Sequence, residues 1–316
     1  MPQGLLKGLI EREGGVVIDG AMSTALEALG CDLNDSLWSA KILSEDPAKI
    51  RQVHRDYFEA GANVAITASY QASEAGFAKK GIGSEEASRL VALSVTLAQE
   101  AREDFLASHS EARPDSLLVA GSVGPYGAFL ADGSEYTGAY ALSDADYRRF
   151  HELRLRALAR AGADLIAIET QPKASEVRAI LPMLEDLGLG AWVTFTLKDE
   201  GRIADGTAIE EAAALCEASP VVEAVGFNCV KRELVSEALR RMRKETEKPL
   251  IVYPNSGETY DPSTKTWSHP VGGPGWGHFI GEWGKMGAVC LGGCCRTLPR
   301  DIVEIAGLMK AWRPKH

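Results

Sequence analysis

AGADLIAIET at residues 161–170 leads from the end of a helical pattern, through a glycine, into a short apolar segment; the same joint recurs as AGAN at 60–63 and MGAV at 286–289. Glycine just past a helix tolerates the left-handed turn that ends it, so each copy reads as the helix-to-strand connection of one repeated αβ unit. Outward from these joints, eight apolar, β-rich runs punctuate the chain: VVIDG (16–20), NVAITASY (63–70), SLLVAGSVG (116–124), ADLIAIET (163–170), AWVTFTL (191–197), VEAVGFNC (222–229), PLIVYPNS (249–256) and AVCLGGCC (288–295). None alternates as a half-exposed strand would. Near-continuous apolar character belongs to parallel strands covered on both faces, and the helical patterns between the runs supply the cover. Asp46 and Pro47 read as N-cap and first-turn residue of one such helix, and Thr207 with Glu210 as a capping box opening another. Eight strand-then-helix repeats with no break in composition predict a single-domain (β/α)8 barrel across residues 1–316. An open doubly wound sheet is the alternative, weakened because IDGAMST stands where a G-x-G-x-x-G turn would follow the first strand.

A chain of 316 residues with 45% hydrophobic content can bury one large core, and its formal net charge of -10 argues against a nucleic-acid partner. The basic cluster RRMRK at 240–244 reads as a solvated helix stripe. No apolar run approaches the ~20 residues that span a bilayer, and MPQGLLKGLI lacks a signal-peptide core, so no membrane partner and a cytoplasmic location are expected. In that reducing compartment six cysteines are not a disulfide framework, and metal binding or catalysis becomes the alternative to simple burial.

In a barrel the C-terminal strand ends face the active site. Asp19, Tyr70, Glu169, Asn228, Cys229, Asn255, Cys294 and Cys295 all fall at the ends of predicted strands. Asp19 alone would read equally well as a helix cap, whereas Glu169 is a poorer cap candidate. Cys31, Cys216 and Cys290 read as inert, buried thiols. Cys294 and Cys295 differ, because they are adjacent, follow two glycines and sit where the strand stops. A catalytic zinc site uses three protein ligands and one open position, and Cys229 supplies the third thiolate. Histidines suited to a barrel metallohydrolase are missing from the strand ends, since His54 and His151 fall in helices and His109 in a connection. A non-catalytic zinc or thiol-redox barrel fits the cysteines but gives no reason for the two carboxylates.

GFNC (226–229) followed by GGCCRT (292–297), with IDGAMST (18–24), TASYQAS (67–73), GSVGPYGAFLADGSEYTG (121–138), ET (169–170) and YPNSGE (253–258), resembles the homocysteine S-methyltransferase family along nearly the whole chain. The likeness is closest to the branch that uses S-methylmethionine. It implies a (β/α)8 barrel, one zinc ion held by Cys229, Cys294 and Cys295, and a homocysteine site containing Asp19 and Glu169. Tyr70 falls where betaine-using relatives have a tyrosine that can take the fourth zinc position. Ser23, Asn228 and Tyr126 complete the expected substrate-binding set, and Trp38, Tyr126 and Tyr136 are aromatics able to surround a cationic donor. Three thiolates on Zn²⁺ sum to a charge of -1, and the substrate thiolate makes -2. A cationic methyl donor suits that site, whether S-methylmethionine or S-adenosylmethionine, and a selenol acceptor such as selenocysteine would be activated similarly. The glycine-rich segments 124–142 and 256–277 read as lids over the mouth.

Overall fold

The computed structural model describes residues 4–35, 37, 39–261, 266–268 and 274–312, with only the backbone of 259–261 and 266–268. Trp38 and parts of the 256–277 segment therefore lie outside the described residues. Eight parallel strands form the central sheet: β1 Val16–Val17, β2 Val64–Ile66, β3 Leu118–Val123, β4 Leu165–Gln171, β5 Ala191–Phe195, β6 Val222–Asn228, β7 Leu250–Tyr253 and β8 Ala288–Leu291. The last strand returns to the first through Val16 with Cys290 and Val17 with Leu291. Closure between β1 and β2 comes from a bridge of Ile18 with Val64 and from the Asn63 N–H donating to the Val17 carbonyl at 2.7 Å. This is the (β/α)8 barrel. Most of the strands are shorter than the apolar runs that predicted them, because the trailing residues of those runs leave the sheet and become the loops of the C-terminal face.

Alternate strand residues divide between two cores, as a period of two requires. Val119, Ile166, Ile168, Val193 and Val225 point outward into the helix layer. Ile18, Val64, Ala120, Leu165, Trp192 and Ile251 fill the barrel interior, where Leu6 and Leu9 of helix α1 (Leu5–Glu13) join them. The start of α1 is tied to Glu223 near the N-terminal end of β6, whose carboxylate accepts the N–H groups of Gly4, Leu6 and Lys7 at 2.8, 2.9 and 3.1 Å. Those are the groups a helix start leaves unbonded, and an anion suits that end of its dipole. With α1 plugging this end, the opposite face is left for a site.

The three glycine joints behave as their repetition predicts: Gly61, Gly162 and Gly287 adopt φ of 98°, 84° and 90°. Two cap readings need correction. Asp46 does occupy the N-cap position before helix Pro47–Glu59, but its side chain caps nothing and pairs with Lys49 at 3.4 Å. The predicted capping box is absent, because the helix starts at Ile209 after Ala208, while the Thr207 N–H is taken by Asp205 Oδ1 at 2.9 Å. The RRMRK stripe is only partly solvated: Arg240 and Arg241 pair with Glu237, but Arg243 donates to the carbonyls of Thr246 and Lys248. Among the described residues no helix is long and apolar enough to cross a membrane.

His54, in helix Pro47–Glu59, is fully buried and neither ring nitrogen finds a hydrogen-bond partner among the described residues. Burial pushes its pKa down to about 3. The folded state thus binds fewer protons than the unfolded chain, so the neutral ring is fully tolerated above the unfolded value near 6.5. Stability is lost as pH falls from there toward 3. Urea midpoints of wild type and His54→Leu at pH 7 and pH 5 are expected to diverge, with wild type losing about 2 kcal/mol more than the variant over that interval. Parallel losses in the two proteins would show that His54 is already protonated or solvated.

Candidate active site

Cys229 directly follows β6 and the Cys294–Cys295 pair lies three residues past β8, and their three Sγ atoms lie within 4.8 Å of one another. The backbone bends sharply to bring them together. Thr170, Cys229 and Arg296 adopt φ of 58°, 54° and 67°, and Ala131 is the one other non-glycine residue with positive φ among the described residues. Left-handed conformation is costly for a β-branched threonine, so its clustering at one mouth marks turns held in place for geometry. The pair is fixed by the Cys294 N–H donating to the Pro254 carbonyl at 2.8 Å and the Ser256 N–H donating to the Cys295 carbonyl at 3.0 Å. Asn228 clamps the next turn: its Oδ1 accepts from the Thr170 N–H at 2.7 Å, and its Nδ2 donates to Thr170 Oγ1 at 2.9 Å and faces Cys294 Sγ at 3.9 Å.

Electrically the thiols are not equivalent. Cys295 is held well below the usual thiol range by hydrogen bonds from Cys229 and Cys294, with Cys229 Sγ 3.3 Å away. Cys294 is pushed up, because its own hydrogen bonds with Cys229 and Cys295 favour its neutral form and burial adds to this. For Cys229, the Cys294 hydrogen bond that lowers it is outweighed by the one to Cys295 and by burial, so it too is raised. Three buried thiolates side by side would repel one another. A soft divalent metal would relieve the repulsion among three, and the donor set therefore fits a metal ion. The remaining cysteines have no such company: burial alone raises Cys290 and dominates at Cys216, which is pushed up to about 12.

Thiols and carboxylates share one cleft, whose walls include Asp19, Thr67, Tyr70, Ser122, Tyr136, Glu169, Thr170, Tyr253 and the three cysteines. Among the described residues that line it there is no Lys, Arg or His. Asp19 is 2% exposed and accepts the Ile66 N–H at 2.8 Å; burial raises its carboxyl well above the usual range, that hydrogen bond opposes the rise, and the Glu169 charge adds to it. Gly20 beside it leaves room for Tyr57, whose ring and hydroxyl would lie 2.8 Å from any added Cβ. Glu169 is pushed up to about 7 by burial, moderated by hydrogen bonds from Ser122 Oγ and from Tyr253 Oη at 3.2 Å. Tyr253 is in turn fixed by the Trp192 indole at 3.0 Å and Thr194 Oγ1 at 2.9 Å. Two buried carboxylates in a cleft whose described lining holds no cationic side chain can receive a cation supplied from outside.

The other expected site residues are placed unequally. Tyr70 lines the cleft, and the Tyr136 hydroxyl lies 3.2 Å from Cys229 Sγ. Ser23 sits half-buried on helix Met22–Ala28 and is not among the lining residues. Tyr126 is also outside the cleft, packed against Phe129, Tyr140 and Phe150 with ring centroids 5.4, 5.5 and 5.0 Å away. The 124–142 segment is pinned from beneath by a buried network that the sequence did not disclose. Glu176 accepts from the Tyr126 N–H at 2.7 Å, the Tyr140 hydroxyl at 2.6 Å and His151 Nε2 at 2.8 Å. Arg154 donates to the carbonyls of Tyr70 and Gly124, each at 2.7 Å. Ser122 and Tyr253 were also missed, since each sits inside an apolar run where a lone polar atom reads as packing. The usable signal was strand phase: both face the barrel interior on the same side as Glu169.

Comparison with known proteins agrees with this geometry. The family model described as homocysteine S-methyltransferase matches residues 16–309. The chain is 48% identical to homocysteine S-methyltransferase YbgG of Bacillus subtilis over 92% of its own length and 93% of the relative's. It is 40% identical to a selenocysteine methyltransferase of Astragalus bisulcatus, covering 98% of this chain and 97% of that one. The metallated form of the homocysteine methyltransferase MmuM from Escherichia coli superposes with a TM-score of 0.87 at 44% identity, covering 96% of this chain and 99% of that one. With the barrel, the strand-end thiols and a match along nearly its whole length, the chain belongs to the homocysteine S-methyltransferase family.

Proposed function

We propose that this protein transfers a methyl group from a sulfonium donor, S-methylmethionine foremost, to the thiol of L-homocysteine, giving methionine, with one zinc ion held by Cys229, Cys294 and Cys295. The observation that carries this reading is the convergence of a three-thiol cluster and two buried carboxylates on one cleft, with no cationic side chain among the described residues that line it. Zinc, once bound, would supply the positive charge that keeps a substrate sulfur ionised at neutral pH. Asp19 and Glu169 receive the homocysteine ammonium, a charge-assisted contact that offsets the cost of burying both carboxylates. Ser122 and Tyr253 orient Glu169, and Asn228 keeps the β4 and β6 turns in register. Tyr70 and Tyr136 form walls that hold the donor in line and keep water out.

In the transfer, the donor's S–CH₃ bond breaks as a bond from that carbon to the homocysteine sulfur forms. The electron pair leaves with a neutral thioether, and the thiol proton has already gone to solvent. An anionic nucleophile and a cationic donor neutralise each other in the transition state, which a negative cleft favours over neutral donors. Free thiols of this kind need a reducing compartment such as the cytosol. The likeness to a selenocysteine methyltransferase supports selenols as additional acceptors.

A panel of S-methylmethionine, S-adenosylmethionine and betaine, each tried with homocysteine and with selenocysteine at saturating zinc, tests the reading by quantifying methylated product. S-methylmethionine with homocysteine is expected to give the highest kcat/KM, and betaine to be at least about tenfold worse, a difference of about 1.4 kcal/mol. No methionine from any sulfonium would overturn it.

A further inference from the structure

Arg154 lies on helix Asp144–Arg160 and is 1% exposed. Burial lowers its pKa to about 10, so it is still a cation at neutral pH. Its polar contacts among the described residues are two backbone carbonyls and one ring nitrogen, with no carboxylate in touch: Nη1 donates to the Tyr70 carbonyl and Nη2 to the Gly124 carbonyl, each at 2.7 Å. A buried guanidinium without an anion beside it is costly, so its place is explained by what its fork holds. The third contact is Nη2 to His151 Nδ1 at 2.9 Å. A guanidinium only donates, so Nδ1 accepts, and the ring carries its proton on Nε2, which donates to Glu176 at 2.8 Å. His151 thereby sets the plane of the guanidinium, and Glu176 sets the plane of His151.

The two carbonyls come from different strand exits, Tyr70 on the connection after β2 and Gly124 directly after β3. Gly124 is also where Tyr70 rests. Its N–H donates to the Tyr70 carbonyl at 3.2 Å, and a Cβ added there would lie 2.6 Å from that carbonyl oxygen and 2.7 Å from two carbons of the Tyr70 ring. The ring therefore packs directly on the backbone that Arg154 holds, and its far side is a wall of the cleft that contains the three cysteines. Such a wall matters to an in-line displacement, because a misplacement of about 1 Å originating far from the reacting atoms costs about 100-fold in rate. We propose that Arg154 is the positioning residue for Tyr70: its fork locks the turns after β2 and β3 into one piece and so fixes the wall against which the methyl donor is aligned. This rests on the methyltransferase reading above.

The test is a double-mutant cycle of Arg154→Lys and Tyr70→Leu in the zinc-loaded enzyme. Lysine keeps the charge but has no planar fork to span two carbonyls. Each single variant is expected to lower kcat/KM for S-methylmethionine about 30-fold, with zinc content full and homocysteine KM within about twofold of wild type. The double variant is expected to lose no more than about twofold beyond Tyr70→Leu alone, because both changes remove the same wall. His151→Gln is the milder probe should Arg154→Lys fail to fold: its amide can still donate to Glu176 while the acceptor facing Arg154 is gone. It is expected to show the same split at about fivefold, again with no further loss in the Tyr70→Leu background. Losses that multiply in the double variants, a loss of zinc or of homocysteine binding that matches the loss of donor turnover, or wild-type kinetics in Arg154→Lys would each overturn the assignment. A wild type that forms no methionine from any sulfonium overturns the methyltransferase reading itself, and this assignment with it.

Discussion

Cys229→Ser is expected to lower kcat/KM for methyl transfer by on the order of a thousandfold, about 4 kcal/mol of transition-state stabilisation, and to leave the purified protein nearly free of zinc. Serine keeps the size of the side chain and can follow the same left-handed turn, φ 54° at this residue. Its hydroxyl, however, does not ionise near neutral pH and is a harder donor than a thiolate. Two thiols remain, with a soft third position lost. Misfolding is a separable outcome. The Cys229 thiol donates one of the hydrogen bonds that hold Cys295 below the usual thiol range, and a serine hydroxyl can donate in its place. The substitution should leave metal-free thermal stability close to that of metal-free wild type. Cys216→Ser is the control: this buried thiol lies outside the cluster, so zinc content should be unchanged and kcat/KM should stay within about twofold despite a stability cost. Zinc stoichiometry by mass spectrometry and methionine formation read both variants. Full zinc and full turnover in Cys229→Ser would sink the assignment of the ligands.

The barrel was legible because its signals are local and repeated. Continuous apolar runs identify strands covered on both sides, and Gly61, Gly162 and Gly287 are demanded by backbone conformation, independent of what packs around them. Strand-end position then made Asp19, Glu169 and the cysteines visible as a group. Side-chain capping was not legible, since Thr207 has competing partners within two residues and the Asp205 turn prevailed. Nor were Arg154 and Glu176, which lie on helices where charge normally means solvent. Here both are buried because the backbone of the β2 and β3 connections needs donors and an acceptor beneath it. Tyr126 and Tyr136 illustrate the limit well. Ten residues apart in one glycine-rich segment, they look alike in sequence, yet one packs against Phe150 and the other faces Cys229. Only the path of the loop decides.

Glu169→Gln is expected to weaken homocysteine while making the ligand-free protein more stable at pH 8. The folded-state carboxyl titrates at about 7, raised from 4.5 by burial. A raised carboxyl means that the native state binds more protons than the unfolded chain. Its penalty is absent below 4.5, grows as pH rises through 4.5 to 7, and is complete above, at about 3 kcal/mol. Glutamine preserves the shape: its one carbonyl oxygen can accept from Ser122 Oγ or Tyr253 Oη, and its amide NH2 then donates to the other hydroxyl, so one of the two hydrogen bonds reverses its sense. Urea midpoints should therefore favour the variant at pH 8 and converge with wild type near pH 4.5. The same substitution removes one of the two charges proposed to receive the substrate ammonium, and KM for homocysteine is expected to rise about 100-fold. Homocysteine itself is a poor probe of the pH dependence, because its thiol also ionises. Norleucine has the ammonium and no thiol, so its inhibition constant isolates the carboxylates. In wild type its affinity should fall as pH drops below 7 and Glu169 is protonated, and in Glu169→Gln that limb should vanish, leaving only whatever Asp19 contributes. A norleucine profile that keeps its shape in the variant would place the ammonium elsewhere, and a variant less stable than wild type at pH 8 would show that Glu169 is paired before substrate arrives.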